Sequence, residues 1–283
     1  MFGKKVNKLT LFVNSMGEYY FLFGLALAWI IFAVVQDLRS REIANWVTFS
    51  LIAFVLTYRA FFAVAIEDWR FFAYGVLGVL FFVALGYGFY YSRVFAGGDA
   101  KLLFGLGGIF PYDSFNSFGI YGLGFIILLF SAGILYTLIY SLFLIARNFD
   151  SFKKSFISEF KKRRLWVYGC LLVFIFLFFV GDIFRAYSWL VLIFPLVYFH
   201  ARAVEASCMI KLTAPEILTE GDWLVSDVYV GQRVVKKTIH GLNIEDILLL
   251  RRAGKKVLIK FGVPFAPAFL IALLCYLIYL IYF

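Results

Sequence analysis

The chain has 283 residues, of which 64% are hydrophobic and only 16% charged, and its mean hydropathy is +0.91. Soluble domains contain about 45–50% apolar and about 25% charged residues, so the composition excludes a soluble globular protein and predicts a polytopic membrane protein. The net charge of +10 follows from the excess of Lys and Arg that cytoplasmic loops of membrane proteins carry. No basic stripe with interleaved aromatic residues stands apart from the apolar segments, so we predict no nucleic-acid partner.

Eight apolar segments qualify as candidate spans, because a helix that crosses the hydrocarbon needs about 20 mostly apolar residues. In chain order they are 19–37, 44–66, 71–91, 96–110, 118–146, 165–181, 187–204 and 264–283, the fourth being short. We therefore predict an all-α polytopic membrane protein with about eight (six to eight) transmembrane helices and a small cytoplasmic α+β appendage.

These segments divide the chain into six parts. They are an N-terminal extension (1–18), a transmembrane core (19–146), a basic amphipathic cytoplasmic loop (147–164), additional transmembrane helices (165–204), a small cytoplasmic domain (205–263) and a C-terminal transmembrane helix (264–283). In the loop, phenylalanines three or four residues apart alternate with basic residues, which is typical of a helix on an anionic membrane surface. In the small domain, "GDWLVSDVYVGQRVV" predicts a hairpin, and "GLNIEDILLLRRAGKK" predicts a helix capped by Asn243.

The distribution of Lys and Arg predicts the orientation. With the N-terminus outside, the inner segments hold 21 of the 27 Lys and Arg, the outer side holds five, and Arg59 lies inside a span. Positively charged residues accumulate on the cytoplasmic side, so we reject the opposite orientation.

Two aspartates lie at the inner face in this topology. Asp37 ends the first span, and Asp99 starts the fourth span behind Gly97 and Gly98. Two carboxylates at close range share one proton, so that one acts as a base toward water and the other as an acid. The alternative interpretation is that each aspartate is simply solvated at the membrane interface.

Cysteine and histidine offer no other chemistry. Cys170, Cys208 and Cys275 form no CxxC pair, and His200 and His240 are far apart in sequence. This spacing suits neither a zinc site nor a disulfide framework. We therefore predict no metal and no cofactor.

Two stretches resemble the motifs of type IV prepilin peptidases, which are membrane aspartic proteases of the GxGD class. "QDLRSREIANW" (36–46) resembles their D-x-R-x-x-x-I-x-N stretch, and "GGDAKLL" (97–103) resembles GxGD with its following D-x-K-L. "HGLNIEDILLLRRAGKK" and "GVPFAPAFLIA" resemble the C-terminal part of archaeal preflagellin and prepilin peptidases. The first Gly of GxGD is Ala96 here, and the usual Pro of I-P-N is Ala44.

The resemblance implies an aspartic endopeptidase that removes the short basic leader from type IV pilin-like or archaellin precursors, in the cell membrane with its active site facing the cytoplasm. Asp37 and Asp99 would be catalytic, and four residues would support them: Gly97, Gly98, Lys101 and Asn45. The cysteine-rich N-methylating domain of bacterial members is not seen, so we expect cleavage only. The family's usual six spans leave 165–204 as additional helices.

The inner face is strongly basic, and so is the expected leader. We call residues 215–228 the acidic segment, because they contain four acids and no Lys or Arg: Glu216, Glu220, Asp222 and Asp227. We hypothesise that this segment, with Glu42, docks the leader's positive charge. The alternative is that these acids only solvate the hairpin.

Two other functions fit parts of the sequence. Intramembrane acids also serve proton relays, so a proton-coupled transporter is one alternative. A membrane scaffold that uses residues 205–263 as a docking module is the other. Both acids lie at one face rather than at mid-bilayer, which favours the peptidase.

Overall fold

The computed structural model describes residues 17–231, 233–238 and 241–282, with the side chain of residue 186 excepted. Most of the predicted N-terminal extension, together with Gln232 and His240, lies outside the described residues. The chain divides into two units, which we describe separately. Unit 1 contains residues up to 137 together with those from 264 onward, and unit 2 contains residues 138–263.

Most of the described chain is helical. The helices are α1 (Gly17–Ser40), α2 (Asn45–Ala65), α3 (Trp69–Tyr91), α4 (Gly97–Leu106), α5 (Phe115–Arg147), α6 (Phe149–Lys162), α7 (Arg164–Val180), α8 (Asp182–Cys208), α9 (Ile244–Arg252) and α10 (Ala266–Tyr282). Within α5, residues Phe118–Leu123 are π-helical. The predicted polytopic helical protein is thus confirmed in outline.

The described helices do not confirm the count of eight spans. Five described helices are long and apolar enough to cross a membrane, namely α1, α2, α3, α5 and α8. The pair α6 and α7 adds a sixth if it counts as one span, although the pair bends by 72°. The last helix, α10, is apolar but has only 17 residues.

The predicted fourth span is a short helix followed by irregular backbone. The helix α4 ends at Leu106, and residues 107–112 continue without helical structure while remaining buried. Glycines place this segment against α3: a Cβ on Gly107 would overlap the carbonyl of Gly78, and one on Gly86 would lie 2.9 Å from the carbonyl of Ala100. The segment therefore runs antiparallel along most of α3, with backbones in close contact.

The buried face of α1 shows how the sequence builds unit 1. Its buried residues recur every three or four positions, as expected for one face of a helix: Tyr19, Leu22, Phe23, Ala26, Ile30, Ala33 and Asp37. Asp37 thus occupies the last position of an otherwise apolar stripe. The burial of this carboxylate follows from its helical register.

Unit 2 combines helices with a small α+β domain. The strands β1 (Ile210–Thr213), β2 (Trp223–Leu224) and β5 (Val257–Lys260) form an antiparallel sheet in the order β1-β5-β2. The predicted hairpin is present as β3 (Val228–Val230) and β4 (Arg233–Val235), which pair antiparallel. The predicted helix is α9, where the Asn243 side chain accepts a hydrogen bond from the Asp246 amide at 2.7 Å.

The amphipathic segment is helical, and part of its aromatic face packs against α8. In α6, Phe156 and Phe160 contact Phe199 of α8, with ring centroids 6.3 and 5.7 Å apart. Phe152 contacts His200 at 5.8 Å. The spacing of the phenylalanines thus serves helix packing within unit 2, while Phe149 and Phe160 are also exposed, and the membrane-surface interpretation stays a prediction.

Candidate active site

Asp37 lies at the end of α1 and is bound by the start of the last helix. Its side chain is 6% exposed, and its Oδ2 accepts a hydrogen bond from the backbone amide of Ala266 at 2.9 Å. Ala266 is the first residue of α10, where backbone amides lack partners within the helix. The carboxylate thus satisfies one of these amides, and the positive end of the helix dipole favours its negative charge.

Asp99 lies in the first turn of α4. It follows Gly97 and Gly98 and is 9% exposed. A carboxylate in the first turn is stabilised by the unpaired amides there. Asp99 and Asp37 are 62 positions apart in the sequence, but the segments that carry them meet, because Gly98 lies close to Ile43. Each carboxylate thus lies at the N-terminus of a helix: Asp37 binds the first amide of α10, and Asp99 lies in the first turn of α4.

The other residues of the two motifs also meet. The Lys101 ammonium donates a hydrogen bond to the Asn45 side-chain oxygen at 2.7 Å. A Cβ on Gly98 would lie 3.3 Å from the Cβ of Ile43, so the absence of a side chain permits this close approach. A Cβ on Gly97 would meet only Tyr90, at 3.7 Å. Gly98 and Lys101 therefore join the two motifs directly. At Gly97 there is room for a larger side chain.

The aromatic residue before the glycines connects this site to α10. Phe95 is buried, and its ring lies 5.4 Å from that of Phe265 and 6.0 Å from that of Phe269. Because Phe265 directly precedes Ala266, the start of α10 contacts the Asp99 segment and binds Asp37. This helix end is thus a third component of the site, which the motifs alone did not reveal.

Two of the acids predicted to dock the leader bind backbone amides of their own domain, and the docking role stays a prediction. Glu42 is exposed in the turn between α1 and α2, in unit 1. In unit 2, Asp222 accepts a hydrogen bond from the Thr219 amide at 2.9 Å, and Asp227 accepts one from the Lys237 amide at 2.7 Å. These contacts stabilise turns of the small domain. Glu216 and Glu220 are exposed.

Metal ligands do not gather in the described part of the chain. No group of three or more His, Cys, Asp or Glu residues there has the arrangement needed to hold a metal ion. The side chains of the site are two carboxylates, an ammonium and an amide.

Sequence reasoning placed Arg59 of α2 inside a span but assigned it no role. This residue is completely buried, and its guanidinium binds the carbonyls of Gly108 and Phe110 just beyond α4. A charged residue inside an apolar span is expensive and marks a site of interest. That rule, applied to Arg59 as it was to the aspartates, would have found it.

Fold and site together define a polytopic helical membrane protein that buries two carboxylates at helix ends. Residues 24–147 match the model of the type IV leader peptidase family. That region contains Asp37 and Asp99, and the resemblance predicted from the motifs is confirmed for it.

Two curated relatives are preflagellin peptidases. The protein from Methanococcus maripaludis is 33% identical over 82 residues, and that from Methanocaldococcus jannaschii is 32% identical over 82 residues. Each alignment covers 29% of this chain and 35% of the relative, so the chain matches about a third of the length of these relatives. No solved structure matches the chain.

Proposed function

We propose that this protein is a membrane aspartic endopeptidase that removes the short basic leader from type IV pilin-like or archaellin precursors. The observation that carries the proposal is the burial of two aspartates, Asp37 and Asp99, at helix N-termini inside the region that matches the family. The family and both relatives are peptidases by name. None of these comparisons supports the transporter alternative.

The pair supplies the groups that peptide hydrolysis needs. Two carboxylates that share a proton present one base and one acid at the same time. The ionised carboxylate takes a proton from water as the water oxygen attacks the scissile carbonyl, and the protonated carboxylate donates a hydrogen bond to the carbonyl oxygen. The tetrahedral intermediate then breaks its C–N bond, and a proton passes to the leaving nitrogen.

Lys101 and Asn45 support this chemistry by position. Their hydrogen bond joins α4, two residues after Asp99, to the first residue of α2. The contact holds the carboxylates at a constant separation, and the ammonium stabilises negative charge that develops near Asp99. We propose that both residues are supporting residues rather than proton donors.

The proposed site acts at the cytoplasmic face of the cell membrane. The orientation predicted from Lys and Arg puts the ends of α1 and the start of α4 on that side. A leader that precedes an apolar helix would meet the aspartates there while its apolar part remains among the spans. The acidic segment and Glu42 are proposed to attract the leader's positive charge.

The experiment is cleavage by the purified protein in lipid nanodiscs. A precursor archaellin and a precursor type IV pilin, each with its leader intact, are incubated separately, and the products are measured by mass spectrometry. We expect at least one shortened product from the wild-type protein and none from Asp99→Asn. A folded wild-type protein that shortens neither precursor would contradict the proposal.

A further inference from the structure

Arg59 is a fully buried charge in the helical unit that contains the two aspartates. Burying a guanidinium is costly unless its donors are satisfied. In the described residues no carboxylate forms an ion pair with it. Its guanidinium donates hydrogen bonds to backbone carbonyls instead. A salt bridge therefore does not explain why Arg59 is buried.

Three carbonyls accept hydrogen bonds from this one side chain. Nε donates to the Gly108 carbonyl at 2.6 Å, and Nη2 donates to the Phe110 carbonyl at 2.6 Å. Nη1 donates to the Phe71 carbonyl, in the first turn of α3, at 2.7 Å. The guanidinium therefore ties the irregular segment after α4 to the beginning of α3.

That irregular segment needs such a partner. The last carbonyls of a helix and the carbonyls beyond it have no partners within the helix. Non-helical backbone at membrane depth is tolerated only where the protein satisfies it. Arg59 provides fixed donors to two of these carbonyls, and its positive charge also complements the C-terminal end of the α4 dipole.

The surroundings of Arg59 are shaped to hold it. A Cβ on Gly75 would overlap the Arg59 Cδ and lie 2.7 Å from its Nε, so glycine leaves the space that the side chain occupies. The guanidinium carbon lies 4.6 Å from the ring centre of Phe71 and 5.4 Å from that of Tyr19. These cation–π contacts fix the plane of the group between two helices.

We propose that Arg59 is a positioning residue for Asp99. The helix α4 has ten residues and is about 15 Å long, with Asp99 in its first turn and the Arg59 contacts just beyond its last. The glycine contacts fix the distance between α4 and α3. The Arg59 hydrogen bonds fix the position of α4 along the axis of α3. This inference rests on the proposed function for its catalytic consequence, but the position of α4 is measurable without activity.

The first measurement is a disulfide between the two motifs. Ile43→Cys and Gly98→Cys are combined in a protein whose native cysteines, Cys170, Cys208 and Cys275, are replaced by Ser. Their Cβ atoms would be about as close as disulfide geometry requires, so mild oxidation should cross-link them quickly. We expect cross-linking to become several-fold slower with Arg59→Lys and about tenfold slower with Arg59→Met.

Arg70→Met is the matched control. Arg70 lies in the first turn of α3, as does the Phe71 carbonyl, but its side chain is exposed. The variant removes the same charge without removing the carbonyl contacts. We expect its cross-linking rate and its cleavage rate to equal those of the protein with native Arg59 and Arg70.

The second measurement is the kinetics of precursor cleavage. A misplacement of about 1 Å in an active site reduces the rate by up to about 100-fold. We therefore expect Arg59→Lys and Arg59→Met to lower kcat by about 10- to 100-fold with an unchanged KM. Gly75→Ala should do the same by displacing the guanidinium, and its effect should disappear when it is combined with Arg59→Ala, because the two changes act on one contact.

The outcomes separate this inference from the proposed function. If the wild-type protein cleaves no precursor, the proposed function fails, and the cross-linking rates alone decide the role of Arg59. If Arg59→Met yields no folded protein, Arg59→Lys and Gly75→Ala decide. Variants that unfold at lower temperature but keep both the cross-linking rate and kcat would overturn the inference and leave Arg59 a purely stabilising residue.

Discussion

The Asp37 side chain has two separable roles, and two substitutions distinguish them. Asp37 is expected to be one of the two catalytic groups, and it also accepts the Ala266 amide at 2.9 Å. Asn keeps a side-chain oxygen for this amide but exchanges no proton. Leu has a similar volume and leaves the amide without a partner. The first substitution therefore tests chemistry, and the second tests the structural contact.

The expected magnitudes follow from these contacts. A hydrogen bond to a charged group contributes about 1.5–3 kcal/mol and a neutral one about 0.5–1.5 kcal/mol, so Asp37→Asn should cost about 1 kcal/mol of stability. Loss of the repulsion with Asp99 offsets part of this cost. Asp37→Leu leaves a buried amide unsatisfied, which costs about 1–3 kcal/mol. Removal of the acid or base should lower kcat by about 10²- to 10⁴-fold in both variants.

The assay pairs cleavage kinetics with thermal unfolding in detergent, followed by tryptophan fluorescence. Asp68→Asn is the control, because Asp68 also binds a backbone amide, that of Arg70 at 3.0 Å, but is exposed. We expect the control to match the wild-type protein in kcat. A folded Asp37→Asn protein with wild-type kcat would refute the catalytic assignment. Equal stability of the Asn and Leu variants would refute the structural one.

Three further predictions concern packing, metal independence and the leader. Gly107→Ala should destabilise the protein by about 1–3 kcal/mol, because its Cβ would overlap the Gly78 carbonyl, whereas Gly97→Ala should leave the unfolding temperature unchanged; equal unfolding temperatures for the two variants would contradict this reasoning. EDTA should leave the cleavage rate intact, and strong inhibition that zinc reverses would count against a metal-independent mechanism. Replacing the four acids of the acidic segment with Asn or Gln should raise KM several-fold, more at low salt than at high salt, with kcat nearly unchanged. The effect is modest because exposed ion pairs contribute only about 0.2–1 kcal/mol each, and it depends on salt because salt screens them. A KM that stays constant at low ionic strength would exclude a docking role.

The sequence alone predicted the class of fold and the family. Long apolar segments must become helices in a membrane, because lipid offers no partner for backbone polar groups. Two acids behind recognisable motifs pointed to the same family that the comparison finds for residues 24–147. The hairpin and the capped helix α9 were also predictable, because turn and capping residues act over a few positions.

Tertiary structure decided what local patterns do not contain. Hydropathy alone does not distinguish a span from a short buried helix that is followed by irregular backbone. The sequence therefore predicted a span over 96–110, whereas α4 ends at Leu106 although the apolar segment continues. The phenylalanines of α6 have the spacing of a membrane-surface helix, and only the tertiary structure shows that Phe156 and Phe160 contact Phe199 of α8.

The contacts that complete the site join residues far apart in the chain. The Ala266 amide reaches Asp37 across 229 positions, and Arg59 reaches Gly108 and Phe110 across 49 and 51. A single sequence shows that a buried charge exists, because its residue type is visible within an apolar segment. It does not show which carbonyl or amide will satisfy that charge, because these backbone groups occur at every residue and only the packing of helices selects among them.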